Sequence, residues 1–210
     1  MSKRFGNGMI GIGACLILLA GCLTCYNIYD NNRAYDFAVR GIHAVRTSIV
    51  EQVALVADSD LSVVPDYQLD PDMEMPALEL DGSRYIGLIS LPEQDMELPV
   101  LSECSDAGLR QAPCRYSGSI YDDDCIIAGH NYRSHFGRLG LSQIGDRVVF
   151  TDIDGNEFIY EVVKVETVAG TDVEGAKSGD WDLTLFTCTL GGQNRILVRC
   201  ERLIEGGLSL

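Results

Sequence analysis

Positive charge is scarce in this sequence relative to negative charge. Its 210 residues include 16 Lys plus Arg against 31 Asp plus Glu, which gives a formal net charge of −15. Proteins that bind DNA or RNA neutralise phosphates with clustered basic side chains, so this composition argues against a nucleic-acid partner. The sequence also lacks internal repeats, a Gly-rich phosphate loop and a Cys/His cluster with zinc spacing. Nothing in it therefore predicts a metal ion or a cofactor.

Cysteine is also too sparse to define the fold. Eight cysteines cannot hold together a disulfide-built miniprotein of 210 residues, and a hydrophobic share of 46% is enough for an ordinary buried core. Cys104 and Cys114 lie ten positions apart in a loop-rich stretch, where a disulfide can form outside the cytoplasm. Cys125 and Cys200 fall in apolar runs and are expected to be buried thiols.

The charge divides the chain into three segments. Residues 1–57 have a balance of +2, residues 58–81 carry eight acids and no base, and residues 82–210 have a balance of −9. Such a partition indicates one domain of roughly 150 residues with an appended N-terminal region. It also means that much of the acidity belongs to a connecting segment.

The N-terminus has the features of a membrane segment. The nineteen residues 8–26 carry no charge and are mostly apolar, and as a helix they span about 28 Å, close to the hydrocarbon thickness of a bilayer. Lys3 and Arg4 precede this run, and Asp30 is the first charge after it. The positive-inside rule then places residues 1–29 as a cytoplasmic tip and membrane anchor, with the rest of the chain on the extracellular face.

Two modes of attachment fit this segment. Leu19-Ala20-Gly21-Cys22 is similar to a lipobox, after whose cleavage Cys22 would carry a lipid. The apolar character continues past this motif through Leu23 and Tyr26, which favours an uncleaved single-pass anchor. Both leave residues 30–210 attached to the outer surface.

Residues 30–57 predict an amphipathic helix that starts with Asp30-Asn31-Asn32 as capping residues. Its apolar positions recur at spacings of three and four and form one face for packing: Ala34, Phe37, Ala38, Ile42, Val45, Ile49, Val53 and Val56. His43 lies one position off this stripe, so we expect it to be solvated or partly buried. Residues 58–83 follow as an acidic, Pro-containing linker that serves as a spacer or as a strap across the domain.

From residue 84 to residue 210 the pattern changes to short strands rich in β-branched and aromatic residues. Strands are predicted at 85–90, 98–101, 125–128, 147–150, 157–163, 183–187 and 195–200, with one short helix within 134–144. Seven or more short strands in about 125 residues indicate a mainly β domain that forms a closed or nearly closed barrel.

Three side chains at predicted strand ends could carry acyl-transfer chemistry. Cys188 ends one strand, Arg195 opens the next after a Gly-Gly turn, and His130 follows the strand Ile126-Ile127-Ala128. A thiolate can attack a carbonyl, an imidazolium can protonate the leaving amine, and a guanidinium can stabilise the oxyanion. A hairpin can bring Cys188 and Arg195 together, whereas His130 has to reach them through the fold.

Together these segments resemble the sortase family. Thr184-Leu185-Phe186-Thr187-Cys188 matches the family's TLxTC signature, and Arg195 with Ile196-Leu197-Val198 resembles its R-x-x-V strand. Ala128-Gly129-His130-Asn131 is similar to its histidine segment, and Tyr85–Val100 is similar to its opening hairpin. The resemblance covers residues 83–203 in family order.

The resemblance implies an eight-stranded barrel with short helices and a membrane-bound cysteine transpeptidase activity. It implies that Cys188 is the nucleophile, that His130 is the general acid and then base, and that Arg195 stabilises the substrate carbonyl and oxyanion. The implied partners are secreted proteins with a C-terminal LPxTG-like sorting signal, and the amine of a cell-wall precursor or of a pilin that resolves the thioacyl enzyme.

Some choices stay open at this point. Arg195 follows Cys188 by only seven positions, and its continuation Ile196-Leu197-Val198 favours class B, as does the N-terminal helix. However, the fifteen residues Val168–Asp182 are too short for that class's helical insertion. His135 is the second candidate histidine, for which a surface or loop role is expected. The competing functions are a membrane-tethered, non-catalytic β-barrel binding module, a surface lipoprotein and, least favoured, a papain-like hydrolase, whose cysteine would open a helix.

Overall fold

A computed structural model describes residues 3–57, 64–70, 72–172, 175, 177 and 179–203 of the chain. One long helix, α1, runs from Lys3 to Ala57 and is followed by a mainly β domain. α1 contains one stretch, within Gly8–Ala54, that is long and apolar enough to cross a membrane, and its most apolar window is fully exposed. The anchor and the amphipathic helix expected from the sequence are therefore parts of one continuous helix.

The expected helix start at Asp30 is wrong. No Pro or Gly lies between Tyr26 and Asp30, so nothing interrupts the backbone hydrogen bonds of α1 there. The side chain of Asp30 does not cap a helix; instead its Oδ2 accepts a hydrogen bond from the Tyr132 hydroxyl at 2.5 Å. The carboxylate that the sequence suggested as a helix cap therefore makes a tertiary contact with the β domain.

The apolar stripe of α1 packs against the β domain as predicted. Ala34, Ala38 and Val45 are buried, while His43, off the stripe, is exposed. α1 packs tightly on the barrel at Gly41, where a Cβ would lie 2.8 Å from Pro99 Cγ. Only a residue without a side chain lets the helix approach the barrel this closely.

The acidic segment between α1 and the barrel is partly structured. A one-turn helix, α2 (Asp66–Leu69), and a short strand, β1 (Leu78–Leu80), lie within it. The ring of Tyr67 stacks on that of Tyr121 at a centroid distance of 4.9 Å. The described part of the predicted linker is therefore a strap along the barrel, while residues 58–63 and Pro71 lie outside the described residues.

Eight further strands form the barrel wall. They are β2 (Ser83–Leu91), β3 (Met96–Leu101), β4 (Cys114–Ser117), β5 (Cys125–Ala128), β6 (Arg147–Asp152), β7 (Glu157–Ala169), β8 (Leu183–Cys188) and β9 (Asn194–Arg202). A one-turn helix, α3 (Asp106–Leu109), precedes β4, and 3₁₀ turns occupy Pro92–Gln94 and Phe136–Leu141.

The strand order closes the sheet into a ring. Neighbours follow the order β2-β3-β4-β5-β8-β9-β7-β6, and β6 pairs back onto β2. This confirms the eight-stranded barrel, and β1 adds a ninth strand along the start of β2. Pattern reading missed β4 because its four residues are too few to show an alternating pattern between Pro113 and Gly118.

The cysteine expectations for the barrel are confirmed. Cys104 and Cys114 form a disulfide, which ties the loop that contains α3 to β4. Cys125 and Cys200 are buried free thiols. Burial raises the pKa of Cys125 to about 12, so this thiol is protonated at neutral pH.

Candidate active site

Strand register brings the three candidate residues to one edge of the barrel. Cys188 pairs directly with Arg195 across β8 and β9. β5 and β8 are parallel neighbours, with Ala128 opposite Phe186, and the Gly129 N–H donates to the Phe186 carbonyl at 3.0 Å. His130 follows the end of β5 by two residues, and the Asn131 amide next to it donates to the Thr189 carbonyl next to Cys188 at 3.3 Å, so the segments that carry His130 and Cys188 are neighbours. The half-buried Cys188 thus lies on β8, between β5, which leads to His130, and β9, which carries Arg195.

A tight turn after β5 shapes the histidine segment. A Cβ at Gly129 would lie 2.5 Å from Phe136 Cδ2, so the fully buried Phe136 ring fits only against glycine. The Phe136 N–H donates to the His130 carbonyl at 3.1 Å, which closes the turn. The Ala-Gly-His sequence is thus explained by packing at the glycine, and this packing fixes the backbone of His130.

Opposing charges act on the imidazole of His130. Its pKa is lowered, first by partial burial and then by the positive charge of Arg110, while Asp30 and Asp106 act in the raising direction. Arg110 and Asp106 both belong to the loop closed by the Cys104–Cys114 disulfide. The disulfide loop therefore sets part of the electrostatic environment of the candidate general acid.

Tyr132 connects His130 to α1. Its ring lies 4.8 Å from that of His130 and 5.4 Å from that of His135, between the two histidines. Its hydroxyl donates to Asp30, and burial together with this bond raises the pKa of Tyr132 to about 12. Ser134 adds a second, longer link to α1 through the Asn31 carbonyl at 3.5 Å.

Arg195 is oriented by the turn that precedes it. Its Nη1 donates to the Gly192 carbonyl at 3.0 Å and to the Asn194 carbonyl at 3.2 Å. Within the described part of the chain no carboxylate forms a salt bridge with Arg195, and all of its recorded side-chain bonds come from Nη1. The Nε and Nη2 donors of the Arg195 guanidinium are therefore candidates to bind a substrate oxygen.

His135 lies in a turn, as the expected surface or loop role allows, but it is buried and not at the surface. It follows Ser134 in the turn but is 0% exposed, and its Nε2 lies 3.1 Å from the Gln111 carbonyl. Because a carbonyl only accepts, Nε2 carries the proton. Burial lowers the pKa of His135 to about 4. His135 is thus a buried imidazole in contact with the Tyr132 ring, and it is held by the disulfide loop.

A cavity of about 430 Å³ lies near the start of β5 and β8. Ile126, Thr184 and Arg199 are among the residues that line it. Thr184 has the same strand parity as Cys188, so both project from one face of β8. The buried Arg199 donates to Thr184 and to Glu166, both at 3.0 Å.

Two of the three carboxylates at 122–124 have structural partners. Asp124 accepts a hydrogen bond from the Ser119 N–H at 2.7 Å, and Asp123 pairs with Arg202 at 2.8 Å. Over the described ranges no group of three or more His, Cys, Asp and Glu side chains is arranged to hold a metal ion.

The Sortase domain family model matches residues 89–203, a little more than half of the chain. The chain belongs to the sortase family. It is 26% identical over 185 residues to Sortase A of Bacillus anthracis, covering 84% of this chain and 85% of that protein. Sortases are cysteine transpeptidases that anchor or polymerise surface proteins, and they act on proteins with sorting signals and on pilins.

Solved sortase structures have the same fold. Sortase C of Streptococcus pneumoniae matches with a TM-score of 0.53 and 20% identity, over 80% of this chain and 97% of that one. Sortase C1 of Streptococcus agalactiae matches with a TM-score of 0.52 and 23% identity, over 76% and 90%. These relatives are named sortase A and sortase C, so they lend no support to class B, and the class of this sortase stays a prediction.

Sequence reasoning missed two residues of this site, Asp30 and Tyr132. They are 102 positions apart, and no local pattern connects them. The sequence indicates Arg110 only weakly: basic residues are scarce in this acidic chain, and Arg110 is one of the few near His130.

Proposed function

We propose that this sortase is a membrane-anchored cysteine transpeptidase that cleaves a C-terminal, LPxTG-like sorting signal. Cys188 Sγ attacks the threonine carbonyl and forms a thioester as the Thr–Gly C–N bond breaks. His130 gives its proton to the departing amine, and Arg195 stabilises the oxyanion. The observation that carries the proposal is the direct pairing of Cys188 with Arg195 beside the strand end that bears His130.

The second half of the reaction reverses the proton transfer. An amine of a cell-wall precursor or of a pilin attacks the thioester, His130 accepts its proton, and the Cys188 thiolate leaves. A new amide replaces the original one, so no oxidant and no cofactor is needed. The apolar run at residues 8–26 supports an anchor that holds the catalytic domain on the extracellular face, where such clients are.

The cavity beside β8 supports recognition of about four residues before the scissile bond. Thr184 precedes Cys188 by four residues on the same face of the strand, which corresponds to about 13 Å. An extended peptide of four residues covers the same distance. We infer that the residues before the cleaved bond lie over Phe186 and end in the cavity lined by Ile126 and Thr184.

A pair of cysteine variants tests the proposed reaction. Full-length wild type in detergent is incubated with a peptide library of LPxTG type and an amine acceptor, and products are identified by mass spectrometry. Cys188→Ala should abolish both cleavage and the trapped thioester. Cys125→Ala removes a buried thiol of the neighbouring strand and should keep activity. Equal cleavage by wild type and Cys188→Ala would exclude Cys188 as the nucleophile.

A further inference from the structure

Helix α1 contacts the barrel at three heights along its length. Near its middle, Asp30 accepts the hydrogen bond of Tyr132, in the segment that bears His130. Further along, Gly41 packs against Pro99. Near the C-terminus of α1, Val53 packs on the turn between β6 and β7, where a Cβ at Gly155 would lie 2.6 Å from Val53 Cγ2.

These contacts show which end of the barrel lies nearer to the apolar N-terminal part of the helix. At a rise of 1.5 Å per residue, Asp30 lies about 6 Å beyond Tyr26, the last residue of the uncharged run, and Val53 lies about 40 Å beyond it. The headgroup layer on one side of a bilayer is roughly 5–8 Å thick. The Asp30 contact therefore falls at headgroup depth, and the turn at Gly155 lies well above it.

The active site belongs to the lower of these two ends. Tyr132, held by Asp30, contacts His130 with the two ring centroids 4.8 Å apart. The Asn131 amide donates to the Thr189 carbonyl at 3.3 Å and so ties the turn after Cys188 to the same segment. Leu190, at the tip of that turn, is 95% exposed although it is apolar. An exposed apolar side chain beside the site is favourable at a lipid interface.

We propose that α1 acts as a rigid ruler that holds the Cys188 end of the barrel against the outer surface of the membrane. Under the proposed function the clients are membrane-embedded proteins, and this orientation limits cleavage to peptide bonds only a few residues from their apolar segment. This second part rests on the proposed transpeptidase function, whereas the orientation does not. Lipidation at Cys22 would give the same orientation, because Asp30 follows Cys22 by only eight helical residues, about 12 Å.

The orientation is measured by fluorescence quenching in vesicles. Trp181 is the sole tryptophan, so full-length Trp181→Phe provides a dark background for two matched reporters. Leu190→Trp places the indole at the active-site end, and Glu157→Trp places it beside the Gly155 turn. Phosphatidylcholine vesicles carry a spin label on the headgroup. The Leu190→Trp signal should be quenched at least threefold more than the Glu157→Trp signal; equal or reversed quenching overturns the proposal.

The ruler is tested with membrane-embedded substrates. Two single-span clients carry an LPxTG-type motif 4 or 14 residues from their apolar segment, which are reaches of about 13 and 46 Å. Wild type should cleave the 4-residue client. An 18-residue helical insertion after Tyr26, five full turns, lifts the barrel by about 27 Å and keeps its facing. This lifted variant should cleave only the 14-residue client.

A free peptide separates the two ways of failing. Wild type and the lifted variant should cleave a detergent-soluble motif peptide at equal rates. If the free peptide is cleaved but wild type requires the 14-residue client, the orientation is wrong and the transpeptidase function stands. If neither client nor free peptide is cleaved, the proposed function fails, and the quenching measurement alone decides the orientation.

Discussion

The hydroxyl of Tyr132 donates a hydrogen bond of 2.5 Å to the carboxylate of Asp30, across 102 residues of sequence. One partner lies on the helix that carries the apolar N-terminal run, and the other contacts the imidazole of His130. The attachment of the domain to its anchor helix and the placement of the candidate general acid thus share one contact.

Tyr132 is expected to act as a positioning residue for His130. Tyr132→Phe keeps the ring but loses the bond to Asp30, and should lower kcat a few-fold with little change in KM. Tyr132→Ala also removes the ring contact, and should lower kcat by about 100-fold, the cost of an approximately 1 Å misplacement. Steady-state kinetics on the full chain separate the two parameters. A rise in KM alone would contradict a positioning role, because it would indicate lost substrate binding.

The barrel could be read from the sequence because its longer strands have a local signature. β7 alternates over enough residues to be recognised, and β9 contains the apolar run Ile196-Leu197-Val198. The short spacing from Cys188 to Arg195 predicts that β8 and β9 pair as a hairpin. The predictions that failed concern tertiary contacts. The capping interpretation of Asp30 overlooked a partner in another element, and the burial of His135 depends on the carbonyl of Gln111 in the disulfide loop. Such contacts leave no periodicity to read.

Arg110 should set the titration of His130. Its positive charge disfavours the imidazolium, so Arg110→Gln should raise the pKa of His130. Asp106→Asn is the matched control and should lower it further, because that carboxylate favours the charged imidazole. The imidazole proton shifts in NMR, assigned by loss of the signal in His130→Gln, report the pKa directly. Identical titrations in all three proteins would mean that solvent screens the loop charges from His130.

The disulfide should contribute measurably to stability. Closing a loop of about ten residues stabilises a fold by about 2–3 kcal/mol through the entropy of the unfolded chain. Cys104→Ala combined with Cys114→Ala should lower the free energy of unfolding by this amount, as measured by urea denaturation of the full chain in detergent. Wild type treated with a reductant should match the double variant. An unchanged unfolding curve after verified reduction would exclude a stabilising role.

His135 should make the stability of the domain depend on pH in a defined window. Its pKa falls from 6.5 to about 4 on burial, so the folded state binds fewer protons than the unfolded state between these values. Stability from this group is therefore complete above pH 6.5 and is lost as the pH falls towards 4. His135→Gln keeps an amide N–H for the Gln111 carbonyl but does not titrate, so its Tm should fall less over this window than that of wild type. A slope of Tm against pH in His135→Gln that equals the wild-type slope would show that the buried imidazole does not couple to folding.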